Sequence, residues 1–117
     1  MRVLLVDDEA DIRALLALVL RQHGYAVDPA ATLREAQLCL LERTYDVVIT
    51  DWKLPDGDGR LIADWGAELG AKTFVMSGYL SFMPGGRALG HETLMKPIRL
   101  DEFVAAVKRS TGEAIPD

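Results

Sequence analysis

The chain has 117 residues, half of them hydrophobic and 26% charged, which fits one folded domain rather than a disordered or multidomain protein. The net charge is −5 and the 13 basic residues are scattered, so direct nucleic-acid binding is not expected. The apolar runs are too short to cross a bilayer. The first run is followed directly by acidic residues, which is unlike a signal peptide. We therefore expect a single cytoplasmic domain over residues 1–117, without membrane insertion.

The first half of the chain alternates strand and helix patterns. Val3–Val6 is a continuous apolar run, which is typical of a strand buried on both faces. Apolar residues then recur at helical spacing, and Gly24 is placed to cap the end of that helix. Tyr25–Val27 predicts a short second strand, and a capping-box pair at Thr32 and Glu35 predicts the start of a second helix.

The same alternation continues beyond the second helix. Val47–Thr50 predicts a third strand that leads directly into an aspartate. A turn-rich loop over residues 54–59 precedes a third helical pattern, and Thr73–Met76 predicts a fourth strand that ends at Ser77. Each of these strands is therefore followed at once by a polar side chain.

The last third of the chain begins with an irregular stretch. Pro84-Gly85-Gly86 opposes helix formation, so we expect a short or irregular fourth helix between Ser77 and the next strand. Thr93–Met95 predicts that fifth strand, which ends at Lys96, and a final helical pattern follows it.

Repeated strand–helix units predict an α/β fold, a doubly wound parallel sheet with helices on both faces. In such sheets ligands bind outside the carboxyl ends of the strands. Asp7 and Asp8 follow the first strand, Asp51 the third, Ser77 the fourth and Lys96 the fifth. We therefore expect these five side chains to meet at one edge.

Converging carboxylates need a compensating charge, because two like charges about 4 Å apart cost roughly 4 kcal/mol at an effective dielectric near 20. One lysine cannot balance three acids, and carboxylate oxygens with room for water suit Mg²⁺. Phosphoryl transfer needs positioning and charge neutralisation, which Mg²⁺, Lys96 and Ser77 could supply to the phosphoryl oxygens. Asp51 would then be the nucleophile, although each residue alone could also be a helix cap or turn residue.

Four short motifs surround these side chains. They are Val6-Asp7-Asp8-Glu9, Thr50-Asp51 with Leu54-Pro55-Asp56-Gly57 downstream, Met76-Ser77-Gly78, and Lys96-Pro97. Together they resemble a response-regulator receiver domain of two-component signalling, over Val3 to about Arg109. The resemblance implies a five-stranded, flavodoxin-like parallel sheet in the order 2-1-3-4-5.

The resemblance also implies a function in a phosphorelay. Asp51 would accept a phosphoryl group from a phosphohistidine on a histidine kinase or a histidine phosphotransfer protein, and a downstream protein target would respond. Such a protein is a signalling phosphoacceptor rather than an enzyme. Because only a short tail follows the last predicted helix, we expect a stand-alone receiver that acts through partners, with an excised piece of a larger chain as the alternative.

Ligand roles are implied in the same way. Mg²⁺ would be held directly by Asp8 and Asp51, by the backbone carbonyl of Lys53, and through water by Asp7. Ser77 and Lys96 would contact the phosphoryl group.

Two departures from the common receiver pattern concern the switch. One is the stretch from Ser77 to Lys96, which is shorter than usual and has Pro84-Gly85-Gly86 where a helix normally lies. The other is Thr93, which stands where receivers often have an aromatic residue, three places before the lysine. Ser77-Gly78-Tyr79 is similar to a subset of receivers that occur alone or attached to hybrid kinases. We hypothesise that Tyr79 and the segment 80–92 take over the switching role, with packing of Tyr79 beside the site as the alternative.

Three other functions fit the same architecture less well. A flavin- or nucleotide-binding domain needs a phosphate-binding loop after the first strand, where this chain has Asp7-Asp8-Glu9. An aspartate-nucleophile phosphatase normally has a second acid where this chain has Lys53. The main alternative is a receiver-like module that signals by binding alone, without phosphorylation.

Overall fold

The computed structural model describes residues 1–78 and 90–112 of the chain. The strands are β1 (Arg2–Val6), β2 (Ala26–Ala30), β3 (Val47–Asp51), β4 (Lys53–Leu54), β5 (Gly57–Asp58), β6 (Lys72–Ser77) and β7 (Glu92–Met95). The helices are α1 (Ala10–Gln22), α2 (Leu33–Glu42), α3 (Arg60–Glu68) and α4 (Leu100–Ser110). Within these described ranges, no helix has the length and apolar character needed to span a membrane.

Five strands form one parallel sheet in the order β2-β1-β3-β6-β7. The short strands β4 and β5 form a separate antiparallel hairpin. When that hairpin is left out of the count, the order is the predicted 2-1-3-4-5, so the predicted fold is confirmed. The irregular fourth helix was expected between Ser77 and Thr93, and residues 79–89 of that stretch, which include Tyr79, lie outside the described residues.

The sheet separates two apolar layers, because neighbouring residues of a strand point to opposite faces. Leu5 packs in the layer that includes Leu16 of α1 and Phe103 of α4. Leu4 packs in the opposite layer, with Ala36 of α2 and Ile62 of α3. Both faces of β1 are therefore buried, as its continuous apolar run predicted.

Two parts of the chain differ from the sequence prediction. The second strand covers Ala26–Ala30 rather than Tyr25–Val27, because it pairs with all five residues of β1. Pro29 is tolerated there since β2 lies at the edge of the sheet and the proline needs no partner on its outer side. The loop over residues 54–59 was predicted only as turns, yet it contains part of the β4–β5 hairpin.

The β4–β5 hairpin fixes the backbone that follows Asp51. The Gly59 N–H donates to the carbonyl of Trp52 at 2.6 Å, and a Cβ at Gly59 would overlap the carbonyl oxygen of Asp51, so this close approach requires glycine. At the other end of the hairpin, the carboxylate of Asp56 accepts the N–H groups of Leu33 and Arg34 at 2.8 and 3.1 Å. The hairpin thus caps α2 and holds β3 in place.

Candidate functional site

Polar side chains gather at the carboxyl edge of the sheet, as the strand ends predicted. Asp7 and Asp8 follow β1, and Asp51 is the last residue of β3. One carboxylate oxygen from each of these three residues lies within 4.8 Å of the others. Asp7 and Asp51 are buried whereas Asp8 is exposed, so the cluster opens to solvent on one side.

Lys96 places its ammonium among these acids. Its Nζ lies 2.7 Å from Oδ1 of Asp51, 3.3 Å from Oδ2 of Asp7 and 3.7 Å from Oε1 of Glu9. Lys96 reaches this position because its backbone N–H donates to the carbonyl of Ser77, which continues the pairing of β6 with β7. One positive charge therefore contacts three carboxylates, and Asp8 adds a fourth acid nearby.

Crowding and burial change the protonation of the central aspartate. Burial of the carboxyl group, together with the neighbouring Asp7, raises the pKa of Asp51 to about 7, although Lys96 acts in the opposite direction. Burial by itself would lower the pKa of Lys96, but its pairing with Asp51 and Asp7 outweighs this and raises it. A divalent cation that binds the ionised Asp51 would compete directly with this proton.

A pocket of about 170 Å³ opens above the cluster. Its lining includes Asp8, Asp51, Ser77 and Lys96, so four of the five side chains predicted to meet at this edge share one cavity. Asp7 lies outside this lining, fully buried, and its Oδ1 accepts the N–H of Glu9 at 2.8 Å. The acids of the lining offer carboxylate oxygens as metal ligands, which is the ligand type that Mg²⁺ prefers. The described lining contains neither cysteine nor histidine.

One wall of the pocket is formed by Trp52 and Lys53, which follow Asp51 directly. The Nζ of Lys53 lies 5.2 Å from the centroid of the Trp52 ring, and the guanidinium carbon of Arg60 lies 5.5 Å from it. Arg60 is held in turn by Asp58, at 2.7 Å between Nη2 and Oδ2. Cation–π contacts of this kind orient the indole beside the acceptor.

The family model described as "Response regulator receiver domain" matches residues 3–108. The chain belongs to the response-regulator receiver family.

Curated relatives of this receiver are longer proteins. It is 38% identical over 109 residues to the two-component response regulator ARR11 of Arabidopsis thaliana, covering 88% of this chain and 21% of that protein. It is 32% identical over 123 residues to the virulence transcriptional regulatory protein PhoP of Salmonella typhimurium, covering 97% of this chain and 55% of that protein. The chain thus spans about a fifth and about half of these two relatives.

Solved receivers share the fold. The beryllofluoride-activated NtrC4 receiver domain dimer superposes with a TM-score of 0.82 at 33% identity, covering 95% of this chain and 96% of that one. Receiver domains are signalling phosphoacceptors that bind Mg²⁺ at an acidic cluster and interact with histidine kinases or phosphotransfer proteins. This receiver has such a cluster in Asp7, Asp8 and Asp51.

Two predicted features of the receiver remain predictions. Thr93 lies in β7 opposite Val75 of β6 and is half-buried, which fits a position between sheet and surface but does not test a switching role. Tyr79 lies outside the described residues. The main residue that the sequence reasoning missed is Glu9, which was named only as part of the first motif and lines the pocket.

Proposed function

We propose that this receiver is a phosphoacceptor in a two-component phosphorelay. Asp51 takes a phosphoryl group from a phosphohistidine in a Mg²⁺-dependent reaction, and the change alters the binding of a downstream protein. The observation that carries the proposal is the position of Asp51, buried against the ammonium of Lys96 at 2.7 Å yet lining an open pocket. A buried carboxylate with this access can act as a nucleophile.

The metal ligands in this proposal are oxygen atoms of four residues. Asp8 and Asp51 coordinate Mg²⁺ directly, the backbone carbonyl of Lys53 adds a third ligand, and Asp7 acts through a water molecule. Two observations support this ligand set. One carboxylate oxygen from each of the three aspartates lies within 4.8 Å of the other two, and Lys53 lines the same pocket. Bound Mg²⁺ supplies positive charge to the carboxylates and to the phosphoryl oxygens.

Two further side chains serve the phosphoryl group. Lys96 neutralises one of its oxygens and Ser77 donates its hydroxyl to another, since both line the pocket with Asp51. In the transfer, a carboxylate oxygen of Asp51 forms a bond to phosphorus while the phosphorus–nitrogen bond of the donor breaks. The imidazole nitrogen keeps the electron pair of that bond. Preorganised charges of this kind are the main source of catalysis in phosphoryl transfer.

Intact-protein mass spectrometry tests the proposal. After incubation with acetyl phosphate and Mg²⁺, we expect a mass increase of one phosphoryl group that Asp51→Asn abolishes and that chelation of Mg²⁺ prevents. Asp101→Asn removes an exposed acid in the first turn of α4 and should leave the increase intact.

The alternative, a receiver that acts by binding alone, predicts a different result. It requires that neither acetyl phosphate nor a phosphohistidine donor produces the mass increase in the folded protein. The structure does not favour it, because the acids and the lysine that phosphoryl transfer needs are together at one pocket.

A further inference from the structure

Glu9 occupies a helix position that its residue type does not suit. It is the N-cap of α1, with an extended backbone at φ −84° and ψ 110°, and its side chain makes no capping hydrogen bond. N-cap positions favour the short side chains of Ser, Thr, Asp and Asn, as Thr32 shows at the start of α2, where its hydroxyl accepts the N–H of Glu35 at 3.1 Å. Glu9 therefore caps no N–H group of α1, and only its negative charge at the amino end of the helix is favourable.

The carboxylate of Glu9 is directed to the acceptor pocket instead. It lines the pocket with Asp51, and its Oε1 lies 3.7 Å from Nζ of Lys96. This is the longest of the three carboxylate contacts that Lys96 makes, and the side chain of Glu9 is 61% exposed. An exposed pair at this distance stabilises the fold little, so the contact does not account for Glu9.

The exposure of Glu9 places a negative charge where a phosphoryl donor must enter. Asp51 and Asp7 lie deeper, at 4% and 0% exposure, and Lys96 is already paired with both. The side of the mouth that Glu9 forms therefore favours a donor whose leaving group is positively charged, whereas the exposed Lys53 lines the wall beside Trp52. A protonated phosphoimidazole ring is such a group, whereas acetyl phosphate has no cation.

We propose that Glu9 recognises the protonated imidazole ring of a phosphohistidine donor and so selects it over acyl phosphates. The proposal rests on the proposed function of Asp51. As the phosphorus–nitrogen bond breaks and the bond to Asp51 forms, the electron pair returns to the ring. The ring keeps its proton and leaves as neutral imidazole. Glu9 stabilises the cation before and during this step and transfers no proton.

Competing small donors test this role without any partner protein. Rates of phosphorylation by phosphoimidazole and by acetyl phosphate are measured at saturating Mg²⁺ and pH 7, and their ratio is compared between proteins. In Glu9→Gln we expect the ratio of the phosphoimidazole rate to the acetyl phosphate rate to fall roughly threefold, the scale of an exposed charge pair. Glu9→Asp keeps the charge and should retain more of the ratio.

Two further variants separate this role from a general effect. Glu9→Ser removes the charge but supplies a favourable N-cap, so it should lower the ratio as Glu9→Gln does while α1 stays intact. Glu42→Gln removes an exposed acid at the end of α2, distant from the pocket, and should leave the ratio unchanged.

The outcomes distinguish the two proposals. An unchanged ratio in Glu9→Gln and Glu9→Ser, with Asp51 still phosphorylated by both donors, would overturn donor recognition by Glu9 and leave the proposed function standing. Equal changes in both rates would assign Glu9 to the general electrostatics of the pocket and would also overturn it. Absence of phosphorylation by either donor in the unaltered protein would overturn both.

Discussion

At the amino end of the central sheet, His91 and Asp28 are matched by protein partners, whereas at the carboxyl end several acids share one lysine. His91, only 4% exposed, lies at the amino end of β7. One ring nitrogen lies 2.5 Å from the hydroxyl of Thr73 and the other lies 2.5 Å from Oδ1 of Asp64. Both nitrogens therefore have partners within the fold.

A second matched group lies beside β1 and β2. Asp28 accepts the hydroxyl of Tyr45 at 2.7 Å and a guanidinium N–H of Arg2 at 3.2 Å. Burial of the phenol and its bond to Asp28 raise the pKa of Tyr45 above its usual value, so the hydroxyl stays protonated and remains a donor. This group is complete without any ligand.

The difference indicates which polar residues stabilise the fold and which bind something else. Polar groups with protein partners satisfy their own hydrogen bonds, and losing one partner costs stability. At the carboxyl end, the contacts of Lys96 with Asp7, Glu9 and Asp51 leave net negative charge, which a cation can neutralise. Substitutions at the two ends should therefore separate stability from phosphorylation.

The largest effect is expected at Lys96. Lys96→Ala removes the charge that faces Asp51 and the incoming phosphoryl group, so phosphorylation by acetyl phosphate should slow about a hundredfold. The rate is measured from the time course of the intact mass. Lys72→Ala removes an exposed lysine at the opposite end of β6 and should change the rate little. Similar rates in both variants would show that Lys96 does not act on the phosphoryl group.

The next effect is on stability, at His91. His91→Ala leaves Thr73 and Asp64 without their shared partner and opens a cavity, so the free energy of unfolding should fall by about 2 kcal/mol. Urea denaturation measures this loss, and His23→Ala, at the exposed end of α1, should cost less than about 0.5 kcal/mol. Phosphorylation of folded His91→Ala should proceed at the normal rate. If His91→Ala lost phosphorylation but kept its stability, His91 would belong to the phosphorylation site rather than to the structural contacts at the amino end of the sheet.

A third prediction concerns pH at the acceptor. The folded pKa of Asp51 is raised from 3.8 to about 7, so without metal the folded chain holds this proton more tightly than the unfolded chain does. Stability should therefore fall as the pH rises through this range, and Mg²⁺ should restore it above about pH 7. Because Mg²⁺ competes with the proton, its apparent Kd should be roughly tenfold to thirtyfold weaker at pH 5.5 than at pH 8.

Titration with Mg²⁺, followed by tryptophan fluorescence from Trp52 beside the pocket, measures that Kd at each pH. In Asp51→Asn no acceptor carboxyl remains to titrate, so most of the pH dependence between 5.5 and 8 should disappear. An equal pH dependence in Asp51→Asn would assign the proton to another group.

The smallest effect is expected at Tyr45. Tyr45→Phe removes one hydroxyl that donates to Asp28 and leaves the buried ring in place, so stability should fall by about 1 kcal/mol. A double-mutant cycle with Asp28→Ala, which leaves no acceptor for the hydroxyl, measures the coupling of the pair by urea denaturation. Zero coupling would show that the pair contributes no stability. Phosphorylation should be unaffected in both single variants.

Sequence reasoning predicted that the side chains of the candidate site meet at one edge, because they follow strands that are recognisable locally. The apolar run Val3–Val6 identifies β1, and the fold class then places Asp7, Asp51 and Lys96 at the same edge. The same reasoning could not pair His91 with Asp64, because 27 residues separate them and neither shows a periodic pattern. Partners of this kind are set by tertiary packing.

Local sequence patterns also failed to predict some features of the loops. The turn residues after Asp51 predicted only a loop, because a hairpin with two-residue strands has no periodic signal. Glu9 was named only as part of a motif, and only the position of Lys96 shows where its carboxylate points. The sequence did contain one indication of this role, because N-cap positions favour short polar side chains and Glu9 is not one of them. Residues that depart from such local preferences often lie at functional sites.

The most direct test of the account identifies the phosphorylated residue. The receiver is incubated with Mg²⁺ and acetyl phosphate, then treated with borohydride, which reduces an aspartyl phosphate to homoserine, and the modified peptide is sequenced by mass spectrometry. We predict homoserine at position 51 alone, and none when Mg²⁺ is chelated. Homoserine at position 7 or 8, or no reduction product in a protein that has gained a phosphoryl group, would contradict the account.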